Sequence, residues 1–169
     1  MQTSLTSKPK AVVGIDPGWS GGIGIYSEAG AEVIKMPDTE RDILIAFSEI
    51  AENYVVSRCY IERVHSMPKQ GVRSSFKFGY NFGLLVGLVN CQEWSHVFVP
   101  PQKWQRTLGC LSGGDKNVTK RRAQELYPSL KITHATADAM LIAHYGFTVE
   151  MGSSFVDRST LHLVPNNQP

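Results

Sequence analysis

Residues 11–27 read AVVGIDPGWSGGIGIYS, and the fold class turns on how that stretch divides. The apolar run AVVGID, 11–16, is cut by the turn pair Pro17-Gly18, and GGIGIYS, 21–27, resumes a β-rich pattern. Two strands joined this closely make a hairpin. A third short strand, AEVIKM at 31–36, follows the turn at Gly30. The period then becomes helical. Behind the boundary at Pro37, Thr39 can cap a helix with Asp42 three residues on, and Ile43, Phe47, Ile50 and Ala51 recur at helical spacing. Val55 and Val56 lead into RCYIE, 58–62, a fourth strand that ends in a carboxylate.

Pro68 and Gly71 mark an exposed connector into a helix over 72–91. Gly79, Gly83 and Gly87 line one face of that helix at intervals of four, where another backbone, of the sheet or of a second copy, could approach closely. Each interior glycine costs roughly 0.8–1 kcal/mol relative to alanine, so packing has to return more than that. HVFVP, 96–100, is a fifth strand, and Pro101 opens a brief helix through Leu108. LGCLSGGDKN, 108–117, reads as a mobile loop, and Thr119–Leu126 as a helix ended by Pro128. HATADAMLIAHYG, 134–146, is a final helix with Gly146 as its stop, after which periodicity fades. The expected architecture is α/β, a five-stranded mixed sheet flanked by helices. It divides into a flexible lead at 1–10, one domain at 11–147 and a tail at 148–169.

At 169 residues, with 42% hydrophobic and 19% charged residues, the chain has enough apolar content for one globular core and is unlike a disordered or fibrous sequence. Cys59, Cys91 and Cys110 form neither a CxxC pair nor an even-numbered disulfide framework, which fits a reducing compartment. No stretch has signal-peptide form or the length to span a bilayer, so no membrane role is expected. The net charge of +2 is uninformative, but its distribution is not. Residues 11–62 hold nine acids and three bases, whereas residues 63–131 hold eleven bases and three acids. An acidic section beside a basic one can hold metal cations next to a surface that attracts phosphate.

Asp16 ends the first strand and Glu62 the fourth. If the crossover returns the fourth strand beside the first, both carboxylates lie in the strand-end crevice where α/β sheets bind ligands. Asp138 would join them from the last helix, with His134 one turn earlier on the same face. Ionised carboxylates this close repel unless protons or cations offset them, and hard oxygen donors favour Mg²⁺ or Mn²⁺. Two such ions about 3.5–4 Å apart suit hydrolysis of a phosphodiester by water, leaving a 5′-phosphate and a 3′-hydroxyl. Plainer readings stand beside this one. Asp16 can serve an Asx turn, Glu62 and Asp138 can be solvated, and His134 can cap a helix.

GIDPG (14–18), YIERVHSMPKQGVRSSFKFG (60–79) and HATADAMLIA (134–143), in that order, resemble the RuvC family of Holliday-junction resolvases, especially its compact phage-type members. The resemblance spans roughly residues 12–147. It implies a ribonuclease H-like fold, a homodimer, Mg²⁺ or Mn²⁺ with two ions per active site, and paired nicking of four-way DNA junctions. Carried over by position, Asp16 corresponds to the first-strand aspartate, Glu62 to the fourth-strand glutamate and Asp138 to the last-helix aspartate. A fourth carboxylate, which many members place three residues before the last, is here Ala135, with His134 next to it as a substitute ligand or base.

Lys69, Arg73 and Lys77, spaced by four, are either a solvated face or a set that positions phosphates without reading bases, while Lys116, Lys120 and Arg121, beside the glycine-rich loop, resemble the basic segment that the family places near the scissile phosphate. In the family an aromatic residue after the strand-four glutamate holds bases apart. Here His65 occupies that approximate place and Phe76 and Phe78 follow, two apart and unable to share a helix face. LSGGDKN lacks Walker A spacing. The rival readings are a ribonuclease H-like nuclease for flap or hybrid substrates, a catalytically weak junction-binding protein, and an actin-like or sugar-kinase ATPase, which needs two such domains.

Overall fold

Two hairpins and two parallel crossovers build the sheet. The computed structural model describes residues 7–63 and 71–159, with side chains described as far as Met151. Strands β1 (Lys10–Asp16), β2 (Gly22–Ser27) and β3 (Gly30–Lys35) form an antiparallel meander, with Asp16 opposite Gly22 and Ser27 opposite Gly30. Helix α1 (Glu40–Asn53) carries the chain across one face to β4 (Val55–Glu62), which pairs parallel with β1. Helix α2 (Val72–Cys91) precedes β5 (His96–Val99), parallel to β4, which completes the order β3-β2-β1-β4-β5. Three helices follow: α3 (Pro101–Thr107), α4 (Lys116–Leu126) and α5 (Ala137–Ser159).

The strand period of two sorts side chains to two cores. Ala11, Val13 and Ile15 of β1, with Ile23, Ile25, Cys59 and Ile61, face α1 and α2, where Phe47 stacks on Trp94 at 5.4 Å between centroids. Val12, Tyr60 and Val99 face the other way, toward Trp104, Leu108 and the Ala137–Ala143 stretch of α5. The expected α1 cap is present: the Asp42 N–H donates to Thr39 Oγ1 at 3.1 Å, and the Thr39 hydroxyl donates to Asp42 Oδ2 at 2.7 Å. Among the described residues no helix is long and apolar enough to cross a membrane.

Three expectations are corrected. Helix α4 begins at Lys116 rather than Thr119, because Asp115 caps it by accepting from the Asn117 N–H at 2.9 Å. Helix α5 begins at Ala137 rather than His134. The Thr133 N–H bonds to Thr136 Oγ1 at 3.0 Å and holds 134–136 in a turn. Gly146 is no stop, since α5 runs on through it to Ser159. A Cβ at Gly146 would lie 2.5 Å from Cε2 of Tyr60, so the glycine is a slot for that ring. Of the two partners open to the row Gly79, Gly83 and Gly87, the sheet is not the one, for a Cβ at any of them would meet nothing within 4 Å among the described residues.

Candidate active site

Because Ile15 points into the α1/α2 core, the next residue, Asp16, points to the opposite face. Parallel pairing of Ile15 with Ile61 puts Glu62 beside Asp16, also on the α5 face. Bare backbone brings α5 down onto them. A Cβ at Gly14 would collide with the Ala143 backbone and lie 2.5 Å from the Ala139 carbonyl oxygen, and one at Gly24 would lie 2.5 Å from that same oxygen. With Ala139 seated against both strands, Asp138 in the first turn of α5 arrives at the strand ends that carry Asp16 and Glu62.

Each carboxylate is held separately. Asp16 Oδ1 accepts from the Gly18 N–H at 3.1 Å, so the Asx-turn reading and the functional reading are both true of this residue. Gly21 closes over it: a Cβ there would sit 2.6 Å from the Asp16 carboxyl carbon. Glu62 Oε1 accepts from the Trp104 indole N–H at 3.0 Å. Asp138 lies by the buried Thr119 hydroxyl, and its Oδ1 is buried with no hydrogen-bond partner among the described residues.

The charges of the three carboxylates bear on one another. Burial raises the Asp16 pKa from 3.8 to about 6, opposed by the Gly18 N–H and reinforced by the charge of Asp138. Burial likewise raises Glu62 from 4.5 to about 8, with the charges of Asp16 and Asp138 adding to it and the Trp104 bond opposing it. Asp138 is raised by burial against the pull of Thr119, Lys116 and His134. Lys116, at the start of α4, lowers all three. Carboxylates that resist ionisation in this way are completed by protons or by a cation.

The donor set fits a hard divalent ion. Three carboxylates converge, and one presents a buried oxygen without a hydrogen-bond partner among the described residues. Among the described residues, however, no three His, Cys, Asp or Glu side chains already stand as a closed metal-binding group, so gripping an ion would need side-chain adjustment.

The other expected site residues are scattered. His134 is exposed, in the turn before α5, and its charge reaches Asp138. His65 and Lys69 lie outside the described residues. On α2, Arg73 and Phe76 are exposed, and the Lys77 ammonium lies 4.8 Å from the centroid of the Trp19 ring. Phe78 stacks on Phe82, which packs on Phe98, so Phe78 belongs to the inner side and Phe76 to the surface. Lys120 is half-buried on α4, and exposed Arg121 is paired with Glu125 at 3.9 Å.

Sequence reasoning missed Trp104, Thr119 and Asn81. The Asn81 amide donates to the Pro17 carbonyl at 2.7 Å. Contacts spanning 42 and 64 residues leave no local signal. Gly14 and Gly24 did leave one, as glycines inside strands mark close backbone approach.

No protein-family profile matches the sequence, and no curated protein matches it. Solved structures do. Thermus thermophilus RuvC in complex with a Holliday junction substrate superposes with a TM-score of 0.61 at 16% identity, over 85% of this chain and 97% of that one. A second Thermus thermophilus RuvC structure gives 0.58 at 17%, over 84% and 96%. The yeast mitochondrial Holliday junction resolvase Ydc2 gives 0.50 at 13%, over 92% and 89%. These likenesses show the fold: the five-stranded mixed sheet with its flanking helices is ribonuclease H-like, as the resemblance implied.

Proposed function

We propose that this protein is a divalent-metal-dependent endonuclease that resolves four-way DNA junctions by hydrolysis, leaving 5′-phosphate and 3′-hydroxyl ends. The observation that carries the reading is the convergence of Asp16, Glu62 and Asp138, from three distant segments, at one parallel-strand edge beside Lys116. These three carboxylates, with His134 at the rim, would hold Mg²⁺ or Mn²⁺, two ions per site. Bound there, such ions activate water and offset the charge that develops on a phosphodiester.

The chain's own part is placement. The Gly18 N–H and the Trp104 indole fix the rotamers of Asp16 and Glu62, which limits the reorganisation needed at the moment of reaction. Lys116 supplies a fixed positive charge where a scissile phosphate would approach. Lys120, Arg121, Arg73, Lys77 and Lys69 would hold the phosphates of the arms, in contacts that weaken steeply with salt. Exposed Phe76, together with His65, would stack on bases opened at the crossover.

Two cuts related by symmetry require two sites, and hence a homodimer. The bare row Gly79, Gly83 and Gly87, where a Cβ would meet nothing within 4 Å among the described residues, together with exposed Val72, gives α2 a face on which a second copy could close.

The test is a comparison of end-labelled four-way junction, flap, linear duplex and RNA–DNA hybrid at a single Mg²⁺ concentration. The proposal expects the junction to be cut at least tenfold faster than the others, with paired nicks at symmetry-related positions. Faster cutting of flap or hybrid would move the substrate assignment to those forms, and tight junction binding without nicking would leave a binding protein.

A further inference from the structure

Helix α2 touches the catalytic turn at two points, one helical turn apart. Asn81 is fully buried, and its Nδ2 donates at 2.7 Å to the Pro17 carbonyl, in the Pro17–Gly18 peptide. Four residues earlier, the Lys77 carbonyl accepts from the Trp19 indole N–H at 3.1 Å while the Lys77 ammonium rests over the Trp19 ring. Pro17 and Trp19 flank Gly18, whose N–H is the one bonded to the Asp16 carboxylate.

Packing alone does not account for this arrangement. An apolar side chain of similar size would fill the Asn81 position without losing its hydration, whereas the amide is buried with its Oδ1 left without a partner among the described residues. What asparagine adds is a donor aimed at one backbone carbonyl. The Pro17 carbonyl and the Gly18 N–H belong to one peptide unit, and since Asp16 takes the N–H, the carbonyl is the group by which this peptide can be held from outside the turn. Elsewhere on the same helix Phe76 and Arg73 are exposed.

We propose that Asn81 is a positioning residue, which together with the Trp19–Lys77 pair tethers α2 to the Asp16 turn and ties the aim of that carboxylate to the helix facing the substrate. The inference rests on the reading of Asp16 as a catalytic ligand and deepens it. A rigid turn presents Asp16 at one angle, and a freed turn spreads it over several, which lowers the rate more than it lowers affinity for DNA.

The experiment compares intact protein with Asn81→Leu and Trp19→Phe. Two quantities are read: amide hydrogen exchange by NMR, and single-turnover cleavage beside junction binding measured in Ca²⁺. For Asn81→Leu the expected result is at least tenfold faster exchange at Gly18 and Gly21, with protection in β4 and α5 unchanged. Its cleavage rate should fall about tenfold, while the junction Kd stays within twofold. Trp19→Phe, which keeps the ring under Lys77 but loses the N–H, should shift both quantities about threefold the same way, and it decides the matter if Asn81→Leu fails to fold. Unchanged Gly18 exchange, or a rate loss matched by an equal loss of binding, overturns the tether. Exchange needs no activity, so a tether that holds in a protein unable to cut any junction would sink the nuclease reading alone.

Discussion

Replacing Asp16 with asparagine is expected to abolish junction cleavage, by about a thousandfold or more, while leaving junction binding within a few-fold of the intact protein. That loss equals roughly 4 kcal/mol of barrier, within the range that charge stabilisation at a metal-assisted phosphoryl centre supplies. Asparagine keeps the shape of the side chain and can still accept from the Gly18 N–H, so the turn survives. What goes is the negative charge. In the folded protein that charge is disfavoured by burial and by Asp138, which is why the Asp16 pKa is raised to about 6. The metal-free variant should therefore melt no lower than the intact protein at pH 8, and the pairing of a dead enzyme with an intact fold separates a catalytic role from a structural one. Asp138→Asn should behave alike. Cleavage within tenfold of normal by the Asp16 variant, measured at saturating enzyme, would remove this residue from the chemistry.

A valine at Gly14 should do the opposite and cost the fold itself. The α5 backbone occupies the space a side chain there would need: a Cβ would lie 2.5 Å from the Ala139 carbonyl oxygen and closer still to the Ala143 amide. Neither neighbour is a flexible side-chain tip that can swing aside. Relief requires lifting α5 off the sheet, which opens the core around Val12, Met140 and Ala143 and withdraws Asp138 from the strand ends. A destabilisation of about 4 kcal/mol or more follows, among the largest for a single substitution, and a melting temperature lower by roughly 10 °C. Gly83→Ala is the matched control, since a Cβ at Gly83 meets nothing within 4 Å. It should raise monomer stability by about 0.8–1 kcal/mol through helix propensity. Equal melting temperatures for Gly14→Val and the intact protein would refute the close approach of α5 to β1.

How much of this could be read from the chain depends on the range of the interaction involved. Thr39 with Asp42 announced α1 because a cap and its partner are three residues apart, and both bonds are present. Helix α2 begins and ends where its composition said, at Val72 and Cys91. Asp16 and Glu62 could be placed at strand ends from local pattern, and their adjacency followed once the crossover was assumed to return β4 beside β1. Gly146 misled because a glycine after an apolar helical stretch looks like a terminus. Its real purpose, to admit the Tyr60 ring, lies 86 positions away in the chain. Lys116 was recognised as basic and near a glycine-rich loop, but its reach to all three carboxylates comes from the earlier start of α4 at the Asp115 cap. Trp104 on Glu62 and Asn81 on Pro17 depend on tertiary placement, and no spacing rule reports them.

The central claim, that three carboxylates far apart in the chain act as one site for divalent cations, is tested most directly by titrating Mn²⁺ into the protein and counting bound ions by electron paramagnetic resonance at pH 5.5 and pH 8. Asp16 and Glu62 have pKa values raised to about 6 and about 8 in the cation-free fold. Protons compete with the ion below those values, so binding must release protons and must tighten as the pH rises through that window. The account predicts two Mn²⁺ per chain at pH 8, affinity at least tenfold weaker at pH 5.5, and loss of at least one ion in each of Asp16→Asn, Glu62→Gln and Asp138→Asn. Stoichiometry and affinity unaffected by all three replacements, or by pH, would contradict it.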